Sequence, residues 1–104
     1  MDKYEKVGEK LSEIVAEMKR LGRWKATEPA IEKFQDMGPF GINTMSLEEW
    51  IQFVLVPRVG ELAQKKGTFP KSAISPYAVK YFDGDPDGET LLRLIVEFDA
   101  VVNS

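Results

Sequence analysis

The stretch "SLEEWIQFVLVPR", residues 46–58, constrains the fold more than any other part of the chain. Ser46 and Glu49 stand three apart, the spacing at which a serine side chain accepts from the third helical N–H while the glutamate reaches back to the serine's own N–H. Met45 and Trp50 hold the two apolar positions that staple such a start. A helix is therefore predicted over residues 46–65, with its polar tail ending at Gly67. Trp50, Ile51, Phe53, Val54, Leu55, Val56, Val59 and Leu62 are more apolar residues than one stripe can hold, so this helix is expected at the centre of a bundle, with Trp50 and Phe53 in the core. Pro57 leaves the carbonyl of Phe53 without its donor, which predicts a bend. Arg58 follows directly. An arginine in apolar surroundings needs an acid, and Glu28 and Glu61 are the candidates for bracing it.

Other elements read as helices too. Tyr4, Val7, Leu11, Ile14, Val15, Met18 and Leu21 recur at three- and four-residue steps, predicting an amphipathic helix over residues 3–21 stopped by Gly22. Pro29 suits a first helical turn, giving a short helix to Gln35 closed by Gly38. Ser75-Pro76 reads as a cap followed by a short helix over 76–82. A last helix begins near Asp85-Pro86 and carries Leu91, Leu94, Ile95, Phe98 and Val102 on one face. The expected fold is a single all-α domain spanning residues 1–104, a compact bundle of three long and two short helices.

Composition closes off much chemistry. The chain of 104 residues has no histidine and no cysteine, so the commonest metal ligand, the usual general base and thiolate nucleophiles are missing. No phosphate-cradling glycine loop or nucleophile-elbow motif is present, and no cofactor is expected. The start, "MDKYEKVGEK", lacks an apolar signal core, which predicts a cytoplasmic location. Net charge is −3, with the basic excess gathered in "KRLGRWK", residues 19–25. Cations complement the dipole at a helix C-terminus, so this cluster is expected to finish the first helix, and direct nucleic-acid binding is not expected. In "DGDPDGE", residues 83–89, Asp83, Asp85, Asp87 and Gly88 match the first part of a calcium-binding loop, but its closing carboxylate position is Leu94. Capping of the last helix, with Asp85 at the cap, is the expected role.

Trp24, Glu28-Pro29, Pro39-Phe40, Asn43-Thr44-Met45, Glu49-Trp50, Gln52, Pro57-Arg58 and Pro76-Tyr77 occur in an order that resembles the YqcC-like family of small bacterial proteins. The specific part is "PF..NTM...EWIQFVLVPR", residues 39–58, where Asn43 stands at a position that many members fill with Asp. The resemblance implies an all-helical, biochemically uncharacterised protein whose companions include tRNA pseudouridine synthases. On this reading the chain is a non-enzymatic interaction module for a protein partner, with Trp24, Glu28, Phe40, Asn43 and Arg58 as the candidate surface; a homo-oligomer is compatible with it. The alternative is a small-ligand or anion-binding protein with its pocket at Arg58 and the aromatic loop.

Overall fold

A computed structural model describes residues 2–26 and 46–104. Among them there are helices and no strand. The short helix expected over 29–35 and its glycine stop fall outside the described residues.

Helix α1, Lys3–Arg20, begins where Asp2 accepts the Glu5 N–H at 2.8 Å. It ends at Gly22, whose φ of 72° suits a residue without a Cβ. There the Arg23 N–H reaches back to the Met18 carbonyl (2.8 Å) and the Gly22 N–H to the Lys19 carbonyl (3.1 Å), which satisfies two of the carbonyls that the helix end would leave unpaired. Val7, Leu11, Ile14 and Met18 form its buried stripe, as the periodicity requires.

The predicted capping box is present, with the Glu49 N–H donating to Ser46 Oγ (3.1 Å) and the Ser46 N–H to Glu49 Oε1 (3.0 Å). Helix α2, Leu47–Trp50, leads into a π turn over Ile51–Leu55 and then into α3, Val56–Gln64. The irregularity expected at Pro57 thus lies just upstream of it. The Val56 N–H donates to the carbonyl of Ile51, five residues back. Widening the ring before the proline puts Pro57 in the first turn of α3, where a missing N–H costs little. Leu47, Ile51, Leu55 and Val59, at four-residue steps, are the buried edge of this composite helix. Trp50 and Phe53 are half-buried rather than enclosed, and Pro57, Arg58 and Gly60 are exposed, so the helix has an outer face. At its far end Lys66 takes the left-handed conformation (φ 54°), one residue before Gly67, where the polar tail is expected to end. Gly67 follows it, with its N–H on the Leu62 carbonyl at 2.9 Å.

Helix α4, Ser75–Tyr81, a 3-10 turn over Pro86–Gly88 and helix α5, Glu89–Val102, complete the described chain. All five apolar residues assigned to the buried face of α5 are buried. Helix α5 packs on both α1 and α4. Lys3 meets Ser104 (3.1 Å) and Lys10 meets Glu97 (2.8 Å), so α1 and α5 run in opposite directions. Tyr4 Oη, shared between the carbonyls of Lys66 (2.9 Å) and Gly67 (3.1 Å), joins the start of α1 to the end of α3.

Two sequence expectations about caps change. Ser75 lies inside α4, Ile74 takes the cap position, and no side chain of the helix's own caps it. The Ser75 N–H and Oγ both donate to Asp99 Oδ2, at 2.7 and 2.5 Å, because a carboxylate from α5 is a better acceptor than a hydroxyl. Asp85 sits at the cap position of the 3-10 turn but makes no capping bond, since its carboxylate is taken by Arg23.

Candidate functional site

The basic segment after α1 is folded onto the start of α2. Arg23 Nη2 pairs with Asp85 Oδ2 at 2.8 Å, and its Nη1 donates to Glu48 Oε2 at 3.3 Å. The other Glu48 oxygen accepts from Tyr81 Oη. Arg23 also lies over the ring of Phe82, 6.0 Å from its centroid. Partial loss of water around the ring, and then the hydrogen bond to Glu48, push the Tyr81 hydroxyl up to about 12, although the side chain keeps an exposed edge. The Lys25 ammonium meets the buried Glu49 carboxylate at 3.3 Å. Lys25 is also gripped through its backbone: its N–H donates to Gln52 Oε1 (2.8 Å) and its carbonyl accepts from Gln52 Nε2 (2.7 Å). Between these two lysine and arginine anchors Trp24 packs half-buried against the core, with Lys19 Nζ 5.4 Å from its ring centroid. Arg20 is bound to Glu17, which its guanidinium holds below the usual carboxylate range. The cluster in "KRLGRWK" is thus largely spent on the protein's own acids, which gives no support to an open anion patch.

A groove of about 200 Å³ runs between the outer face of the composite helix and the segment leading into α4. Trp50, Val54, Leu62 and Phe69 line it, over a floor that includes the buried Val59 and Phe98. Arg58 and Lys71 stand on its rim, both exposed. Among the described residues no acid pairs with either, and no Asp or Glu lines the groove. Glu61, one expected partner of Arg58, is bound to Lys65 at 2.7 Å, and Glu28 falls outside the described residues. Among the described residues, the tie between the segment after α1 and the kinked helix is made by Gln52, Lys25 and Arg23.

The wall of the groove that precedes α4 is held by α5. Asp99, buried, accepts from Ser72 Oγ at 2.5 Å as well as from Ser75. One turn on, Asn103 takes the Ser72 N–H at Oδ1 (2.8 Å) and donates to the Ser72 carbonyl through Nδ2 (2.7 Å). Of the five candidate residues, Trp24 and Arg58 lie among the described residues, and Trp24 does not line the groove. Phe40, Asn43 and Glu28 fall outside them. Gln52, Lys71 and Asp99 were not read as site residues. The sequence signal for two of them was faint but real: a polar residue inside an otherwise apolar helix face at Gln52, and an acid between Phe98 and Val102 at Asp99. Among the described residues no group of His, Cys, Asp or Glu could hold a metal ion, and no helix is long and apolar enough to cross a membrane.

The family model for domain of unknown function 446, described as "tRNA pseudouridine synthase C", matches residues 6–101. An uncharacterised protein of Haemophilus influenzae is 35% identical over 95 residues, covering 90% of each chain. The uncharacterised protein YqcC of Escherichia coli is 32% identical over 103 residues, covering 97% of this chain and 94% of its own. A Pectobacterium carotovorum protein named tRNA pseudouridine synthase C is 31% identical over 72 residues, which are 69% of this chain but 19% of that protein. The solution NMR structure of YqcC from E. coli superposes with a TM-score of 0.87 at 27% identity, over the whole of this chain and 91% of the other.

Proposed function

This chain belongs to the YqcC-like family, and from that premise we propose that it is a non-enzymatic, cytoplasmic interaction module whose partner is a tRNA pseudouridine synthase. The observation that carries this reading is the Pectobacterium match. A stretch like this chain makes up about a fifth of a protein named for the synthase, so most of that protein lies outside the likeness. The modifying chemistry then belongs to the larger remainder, and the shared stretch is a helical unit that accompanies it. The residues of this chain agree: with no histidine or cysteine, its polar clusters at Glu48 and Asp99 are consumed in bracing segments against helices.

Titration calorimetry of the purified chain against a tRNA pseudouridine synthase C from the same organism tests the proposal. A saturable complex is expected, while the chain alone forms no pseudouridine on tRNA. Absence of a complex with both proteins at about 100 μM, well above the dissociation constants of ordinary specific complexes, overturns the partner. Pseudouridine made by the chain alone overturns the non-enzymatic part.

A further inference from the structure

We propose, resting on the interaction-module reading, that the groove between the outer face of Leu47–Gln64 and residues 69–74 is the docking surface, and that its occupant is an amphipathic helix of the synthase bearing acidic side chains beside its apolar ones. Size decides against a small molecule. Ligand pockets run to about 300–1,000 Å³ and enclose most of their ligand; this groove, at about 200 Å³, is open and has room for projecting side chains alone. A partner strand would need a sheet edge to extend, and there is none among the described residues. A helix laying apolar anchors into a groove walled by another helix fits what remains.

Charge sets the sign of the partner. In a chain of net charge −3, Lys10, Arg20, Arg23, Lys25, Lys65 and Arg93 all have acid partners. Arg58 and Lys71, like Lys3, Lys6, Lys19 and Lys80, have none among the described residues, and of these six it is Arg58 and Lys71 that line the groove over one apolar floor. Carboxylates on the partner would find two exposed cations with no competing acid in the lining. The shallow hollow beside α4 and α5 has the opposite character: Val79 and Leu92 lie there with Asp83, Asp85 and Glu89, so an acidic helix would be repelled.

The test uses the purified synthase as probe. Of the two tryptophans, Trp50 lines the groove and Trp24 does not, so Trp24→Phe leaves Trp50 as the sole reporter. Arg58→Glu with Lys71→Glu reverses the rim, and Lys80→Glu on the exposed part of α4 makes the same kind of change elsewhere. Circular dichroism melts of the charge variants should match that of the protein from which each is made. On binding, Trp50 emission should shift. Affinity should weaken with salt in the wild type, fall about tenfold or more in the double variant with loss of most of the salt dependence, and survive Lys80→Glu. Binding by the double variant equal to wild type, or unchanged Trp50 emission in a saturated complex, overturns the groove while leaving the partner in place. Absence of any wild-type complex overturns the interaction reading itself, and the groove proposal with it. Self-association of the chain, or a complex with tRNA alone, that the double variant abolishes would assign the groove to another occupant and likewise overturn the proposal.

Discussion

Gln52 holds Lys25 by both of its backbone polar groups, at 2.8 and 2.7 Å, across 27 residues of sequence. A buried side-chain amide thus does for the segment after α1 what a paired strand would do, fixing one residue's N–H and carbonyl together. Gln52→Leu keeps the bulk and removes both bonds, and a loss of about 1–2 kcal/mol is expected, because Lys25 is exposed enough for water to take over in part. Hydrogen exchange checks it residue by residue: the Lys25 amide should lose protection in the variant while amides in α5 keep theirs.

Asp99 places a carboxylate under the first turn of α4 and under Ser72 at once. Asp99→Ala leaves the Ser75 N–H and two hydroxyls, all half-buried, without their acceptor, with an expected cost of about 1–3 kcal/mol. Asp99→Asn should cost less, since an amide can still accept from the N–H while a serine hydroxyl rotates to accept from its NH2. Urea denaturation should rank wild type above Asn above Ala. An alanine variant as stable as wild type would mean that this latch contributes nothing.

The parts of the fold that were legible in the sequence are those written within one turn of chain. Ser46 and Glu49 are three residues apart and their reciprocal bonds exist; Gly22 stops α1 because its own backbone must turn left-handed. The buried stripe of α5 follows from helical period alone. What was not legible depends on who meets whom. Arg58 reads as a buried brace because its sequence neighbours are apolar, yet Val59 turns inward while Arg58 stays outside with Pro57 and Gly60. Ser75 reads as a cap, and a carboxylate 24 residues away takes its N–H. The proline signalled an irregular helix correctly, but its relief comes upstream, as a π turn over Ile51–Leu55, since the ring must widen before the missing N–H is reached.

Gly88 is required for space and not for its backbone angle, since its φ of −87° is open to any residue. A Cβ there would lie 2.6 Å from Phe82 Cδ1 and 3.2 Å from Asp85 Oδ2. Phe82 is buried and cannot swing into solvent, so Gly88→Ala should destabilise by about 1–3 kcal/mol, the usual cost of overpacking. In a Phe82→Leu background the same substitution should cost less, because the smaller side chain vacates the contested volume. Thermal melts of the four proteins close the cycle, and additive effects would show that the ring is not the obstacle.

Tyr81 is the last group whose behaviour the geometry fixes. Its hydroxyl donates to Glu48, and partial loss of water together with that carboxylate raises it from an ordinary value of 10.0 to about 12. A tyrosine whose folded value is raised favours the neutral form, so its stabilising contribution is complete below pH 10.0 and is lost as the pH climbs toward about 12. Ultraviolet titration should show a late tyrosine phase in this range. Tyr81→Phe should abolish that late phase, and Glu48→Gln should bring it closer to the ordinary range by removing the anion that opposes ionisation. Because Glu48 also holds Arg23, the Glu48→Gln protein should melt earlier than Tyr81→Phe at neutral pH. A late phase that persists in Tyr81→Phe would assign it to another tyrosine and disprove the coupling of Tyr81 to Glu48.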